Sequence, residues 1–202
     1  MRIVDHCRLA IMLIIIALVT QAQHPPVPDQ ARPEGSRTVE SPAHKYFTDT
    51  PLIDQDGREQ RFYSDLLDGK VVVINSFFTS CKDSCPVMSS TFVRIQDWLG
   101  DRLGKDAFLV SITVDPSTDT LDVLKQYARR FKARPGWSFL TGKPADVELV
   151  LKKLGQYVGV KEDHMNIFII GNERTGLWKK AFGLARPDDI IRVVDSVLSD
   201  RN

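Results

Sequence analysis

Residues Val71 to Phe78 read Val-Val-Val-Ile-Asn-Ser-Phe-Phe, an almost unbroken apolar run. Its β-branched residues favour a strand, and apolar side chains at odd and even positions alike require burial on both faces of a sheet. Helices packed on either side of the sheet provide that cover. Directly after the run come Thr79-Ser-Cys81-Lys-Asp-Ser-Cys85-Pro86, and then apolar residues at helical spacing. A buried strand therefore delivers two thiols to the start of a helix. The positive end of a helix dipole lowers thiol pKa values, which makes the sulfurs better nucleophiles and better metal ligands.

The remaining pattern supplies the covering layers. Leu52-Ile53, the turn Asp54-Gln-Asp-Gly57 and Glu59 to Phe62 have the form of a β-hairpin, and Ser64 is placed to cap a short helical turn before Gly69. Met88, Phe92, Ile95 and Leu99 make the stripe of an amphipathic helix, with Asp83 or Ser84 as its N-cap. Ala107 to Val114 is a second buried strand, and a helix carrying Leu121, Leu124, Tyr127, Ala128 and Phe131 follows Thr118-Asp-Thr120. A short strand at Trp137 to Leu140 leads to a helix from Pro144 that buries Val147, Val150, Leu151 and Leu154. Asn166 to Ile170 and Leu177 to Phe182 are strands joined by a turn over Gly171 to Gly176. A last helix from Pro187 turns Ile190, Ile191, Val194 and Leu198 inward. This order predicts an α/β fold, a thioredoxin-like sandwich with an N-terminal β-hairpin extension, over residues 46–202.

Ahead of it, residues 1–22 read as a secretory signal or a short membrane anchor. Arg2 and Arg8 flank the start of an 11-residue apolar stretch, Leu9 to Val19, and Thr20-Gln21-Ala22 offers small residues for cleavage. That stretch is well short of the roughly 20 residues a spanning helix needs, which favours cleavage while leaving membrane attachment open. Residues 23–45 hold Pro25, Pro26, Pro28, Pro33 and Pro42 and read as an extended linker, with His24 and His44 near its two ends. Export implies a periplasmic location or the outer face of the cytoplasmic membrane. Cleavage would remove Cys7 and leave Cys81 and Cys85 as the two thiols of the mature chain. A structural disulfide is the usual use of a cysteine pair outside the cytosol. Closing so short a loop contributes little, however, and a domain of this size builds its own core. A net charge of +1 gives no electrostatic reason to expect nucleic acid as a partner. No Gly-rich phosphate loop follows a strand, so nucleotide binding has no support.

The chemistry then rests on few groups. Were the first turn after the strand helical, Cys81 and Cys85 would lie about 5–6 Å apart on one face, within reach of one metal ion. Two thiolates are soft ligands that select Cu(I) and zinc, and Cu(II) or zinc needs a third donor. His164 stands in Lys161-Glu-Asp-His-Met165, directly before a strand whose preceding loop, in a thioredoxin-like sheet, abuts the cysteine-bearing helix end. That loop normally carries a cis-proline in thioredoxin-type oxidoreductases, and this chain has none there. Asp163 is a candidate to hydrogen-bond nearby, Lys82 to favour thiolates by its charge, and Met88 and Met165 are further soft donors, Met88 fitting the core better.

Three segments together resemble the SCO (SenC-like) copper proteins involved in assembling cytochrome c oxidase. Phe78-Thr-Ser-Cys81-Lys-Asp-Ser-Cys85-Pro86 is similar to that family's F-T-x-C-x-x-x-C-P, although Lys82 replaces a frequent proline. Val114-Asp-Pro-Ser-Thr-Asp-Thr120 resembles its V-D-P-x-x-D-T stretch, and Asp163-His164 its D-H pair before the late strand. The resemblance implies a thioredoxin-like fold that binds Cu(I) or Cu(II) through Cys81, Cys85 and His164. It also implies delivery of copper to, or maturation of the thiols of, the binuclear copper site of cytochrome c oxidase subunit II or another envelope cuproprotein. A copper donor or thiol reductant would be the other partner.

Two functions thus compete for the same sulfurs. One is a copper metallochaperone. The other is a thiol-disulfide oxidoreductase in which Cys81 attacks and Cys85 resolves, against which stand the C-x-x-x-C spacing and the missing proline. A peroxiredoxin-type peroxidase is disfavoured because Thr79 lies two residues before Cys81 rather than three.

Overall fold

The computed structural model describes residues 42–201. The signal or anchor at 1–22, His24, Cys7 and most of the linker lie outside the described residues. The Pro-rich composition predicts extended chain as far as Lys45, but helix α1 (Pro42–Phe47) takes in its last residues. Side-chain packing outweighs composition here. Phe47 packs against Phe62 and Trp178 with ring centroids 6.0 and 5.4 Å apart, and His44 stacks on Tyr63 at 4.5 Å.

Strands β1 (Pro51–Asp54) and β2 (Glu59–Arg61) form the expected hairpin. The Asp54 carboxylate closes its turn by accepting the Asp56 and Arg58 amides, both at 2.9 Å. Ser64 caps nothing: its amide and hydroxyl both donate to the Asp49 carboxylate, at 2.8 and 2.7 Å. Strand β3 (Val71–Phe77) is buried along its whole length. It pairs in parallel with β4 (Ala107–Thr113) and antiparallel with β6 (Ile167–Asn172). With β5 (Trp137–Thr141) and β7 (Leu177–Phe182) the sheet has seven strands in the order β2-β1-β5-β4-β3-β6-β7.

Helices cover both faces, as β3 requires. On one side α2 (Ser84–Leu99), α3 (Leu121–Arg130) and α5 (Pro187–Leu198) bury their apolar stripes with Val71, Val73 and Phe77 of β3. On the other, α4 (Pro144–Leu154) and the turn carrying Leu66 and Leu67 cover Val72 and Ile74. Asn75 and Ser76 of the strand each make one side-chain hydrogen bond, while Asn75 Nδ2 is buried without one. Ser111 donates to Asn75 at 2.8 Å and itself accepts from the Trp137 indole at 3.1 Å, while Ser76 donates to Gln156 at 3.2 Å.

Three local expectations differ from the structure. Leu121 is 37% exposed rather than inward, and Ile191 is only partly buried. Strand β6 continues to Asn172, although Gly171 reads as turn. A Cβ at Gly171 would lie 2.2 Å from the Trp178 ring, its cross-strand partner, so this glycine makes room for an indole within a strand.

Phe92 joins α2 to the sheet, stacked on Phe168 at 4.9 Å and edge-on to Trp137 at 5.3 Å. Phe92→Ala is expected to lower the unfolding free energy by about 3–5 kcal/mol in urea denaturation, the cost of emptying a closely packed aromatic site.

Candidate functional site

The site forms where β3 runs out. Phe78 remains buried, and the Cys81 amide donates to the Phe78 carbonyl at 3.2 Å, turning the chain before α2 begins. The cysteines are therefore not a pair within one helical turn. Helix α2 starts at Ser84, so Cys85 lies in its first turn and Cys81 precedes it. The first amides of a helix have no partner inside it, and one of them is satisfied by sulfur: the Cys85 amide donates to Cys81 Sγ at 3.4 Å. Asp83, at the N-cap position, makes no side-chain capping bond. Both cysteines are free thiols, Cys81 half-buried and Cys85 fully buried.

Their environments push the two thiols apart. Burial raises the pKa of Cys81, but hydrogen bonds from the Cys85 thiol, the Cys85 and Asp83 amides and the Ser84 hydroxyl outweigh it and bring Cys81 below the usual 9.0. Burial, followed by the neighbouring Cys81 sulfur, pushes Cys85 well above its ordinary value. Depth and backbone donors thus make the two thiols unequal.

His164 completes the group from 79 residues away, with Nε2 3.2 Å from Cys85 Sγ. It follows a short 3₁₀ turn, Lys161–Asp163, and its Nδ1 lies 3.1 Å from the Lys161 carbonyl oxygen. With Nδ1–H donated to that carbonyl, Nε2 presents its lone pair to the sulfur. The ring is buried and packs edge-on against Phe78 at 5.3 Å. Burial holds its pKa below 6.5, so the imidazole is neutral at pH 7. With that tautomer, the Cys85 thiol is placed to donate to His164 Nε2.

Two proposed auxiliary residues play other parts. Asp163 is exposed, and a backbone carbonyl orients His164 in its place. Lys82 is exposed on the lip of the cleft, while the groups that lower the Cys81 pKa are amides, a thiol and a hydroxyl. Met88 is fully buried in the core. The cation that shapes the site is Lys161, to which its position in the sequence assigns no role. Its ammonium donates to Asp115 at 2.6 Å and sits 5.3 Å from the Phe78 ring centre, tying the histidine loop to the end of β4. Nothing local in the sequence announces that contact, since Asp115 lies 46 residues earlier.

Among the described residues, no three His, Cys, Asp or Glu side chains already surround a metal position. Cys85 and His164 are instead closed on each other by a hydrogen bond. The donor set, two thiols and a neutral imidazole, suits a soft ion.

The SCO1/SenC family profile matches residues 40–198. The chain belongs to the SCO1/SenC family. A SCO2-like protein of Rickettsia prowazekii is 39% identical over 102 residues, covering 50% of this chain and 47% of that protein. The chain spans about half the length of the curated relatives it matches first. Two solved structures share the fold. Yeast Sco1 with copper bound has a TM-score of 0.61 at 26% identity, over 75% of this chain and 91% of that one. BsSco, described with a disulfide switch and as a member of the Sco family of cytochrome c oxidase assembly proteins, gives 0.62 at 28% identity, over 75% and 92%. The thioredoxin-like fold expected from the element order is the fold of these neighbours.

Differential labelling checks the assignment of the two thiols. In the reduced, metal-free protein at neutral pH, iodoacetamide is expected to modify Cys81 first and leave Cys85 largely protected. The Cys81 rate should rise with pH to a midpoint below 9.0, because the thiolate is the reacting form. Faster reaction at Cys85 would contradict the assignment.

Proposed function

We propose that this protein is a copper-binding metallochaperone of the cell envelope. Cys81, Cys85 and His164 would hold the ion, and the client would be the binuclear copper site of cytochrome c oxidase or another envelope cuproprotein. The observation that carries the reading is the contact of His164 Nε2 with Cys85 Sγ at 3.2 Å, on the sulfur adjoining Cys81. It brings the third donor to the thiol pair, and the Lys161 carbonyl already fixes the tautomer that ligation needs. The copper-bound yeast Sco1 structure and the oxidase-assembly description of BsSco support copper and the client class.

When bound, copper supplies the cargo to be exchanged, and the rest follows from this chain's residues. Cys85 must give up its thiol proton to ligate, so binding strengthens as pH rises through the thiol range. Cys81, half-buried at the mouth of the cleft, is the ligand a partner thiol can reach and displace. Buried Cys85 and His164 retain the ion until that exchange begins. Export of the chain through residues 1–22, to the periplasm or the outer face of the cytoplasmic membrane, is part of the same proposal.

A second reading, thiol-disulfide oxidoreductase, is favoured by the unequal thiols. The Cys81 thiolate would attack a client disulfide, forming a mixed disulfide and expelling one client thiolate. Cys85 would then lose its proton to His164 Nε2 and displace the second client thiol. The client gains two electrons and this chain becomes the Cys81–Cys85 disulfide. A reductant of the dithiol class would restore it.

Anaerobic titration of the reduced full chain separates the readings. One equivalent of Cu(I), and one of Cu(II), should bind. His164→Ala should weaken Cu(II) binding by at least about tenfold and shift its sulfur-to-copper absorption. Unchanged affinity and spectrum in that variant would falsify the three-residue site. Rapid copper-free turnover of a model disulfide would favour the oxidoreductase.

A further inference from the structure

The stretch Val114-Asp-Pro-Ser-Thr-Asp-Thr120 supplies none of the three donors, yet its second carboxylate is among the most deeply buried charges of the described residues. Asp119 is 1% exposed. A buried carboxylate is costly unless its lone pairs are filled, and Asp119 fills them with neutral donors. Its Oδ1 accepts the Thr79 hydroxyl at 2.5 Å, and the Thr79 amide reaches both oxygens at 3.2 and 3.3 Å. Its Oδ2 accepts the Thr113 hydroxyl at 2.5 Å.

These partners lie on two different segments. Thr113 is the last residue of β4, paired in register with Phe77 at the end of β3. Thr79 stands two residues before Cys81, in the turn where the chain leaves β3. Asp119 is itself held by its own amide, which donates to the Asp115 carbonyl at 2.9 Å. The carboxylate therefore bolts the thiol-bearing turn to the end of the neighbouring strand. Only a carboxylate offers two equivalent acceptor oxygens at this point. An amide in its place would turn an N–H₂ group towards a donor.

We propose that Asp119 is a positioning residue for Cys81: by clamping Thr79 it fixes where the turn delivers the sulfur, within reach of the Cys85 amide. The proposal rests on Cys81 being the working thiol of the site. Its test is run without copper, so failure of the copper titration and failure of this clamp are distinguishable.

The rate of Cys81 alkylation by iodoacetamide is measured in the reduced, metal-free full chain at fixed neutral pH, with Cys85 labelling as the internal reporter of general opening. Asp119→Asn and Thr79→Val are each expected to slow Cys81 labelling several-fold while Cys85 stays protected. Thr79→Ser, which keeps the hydroxyl, should restore the parent rate. The double variant should be no slower than either single change, because both remove the same clamp. An unchanged Cys81 rate would overturn the proposal. So would a faster one, the result expected if Asp119 merely repelled the thiolate, and so would joint labelling of both cysteines, the result of general loosening. Should Asp119→Asn fail to fold, the contrast between Thr79→Val and Thr79→Ser carries the same decision.

Discussion

Burial of β3 on both faces is the constraint from which the site descends. A strand covered by helices on each side cannot slip, because a shift of one residue would exchange the side chains facing the two cores. Its end is therefore fixed relative to β4 and β6. The thiols hang from that end, and His164 stands three residues before β6, the antiparallel neighbour of β3. The turn carrying the thiols and the loop carrying His164 are thus both anchored to neighbouring strands of one sheet.

The electrostatics of the site follow from depth and from backbone donors more than from neighbouring charges. Cys81 gains hydrogen bonds from helix-start amides, Cys85 loses water, and His164 loses its proton to burial. The ionic pair Lys161–Asp115 acts at one remove, by holding the loop whose carbonyl orients the imidazole. Charged side chains brace the walls, and neutral groups meet at the centre.

Much of this was legible in the residues. Continuous apolar runs marked β3 and β4, helical stripes marked α2 and α4, and the position of His164 before a late strand placed it opposite the thiols. What was not legible depends on tertiary contacts. The helical spacing of Cys81 and Cys85 suggested one turn, but the chain needs a non-helical turn to leave β3, so α2 begins three residues after Cys81. Lys82 and Asp163 are the charged neighbours in sequence, whereas carbonyl and amide groups, present at every position, orient His164 and lower the Cys81 pKa. Gly171 looked like a turn because nothing local announces the indole of Trp178 that occupies its missing side chain's space. Asp119 sits in a recognisable motif, but its role depends on Thr79, 40 residues earlier.

The separation of the donors along the chain has a consequence for how the protein matures. Cys81 and Cys85 meet as soon as their own turn forms, but His164 stands 79 residues past Cys85 and reaches it only when β6 has paired with β3. An unfolded or half-folded chain can thus offer an ion two thiols, never the full set. Late, non-local contacts are the slow part of folding a mixed sheet. On the metallochaperone reading the third donor would therefore act as a checkpoint in time, and only a chain that has completed its sheet would hold the ion with all three residues.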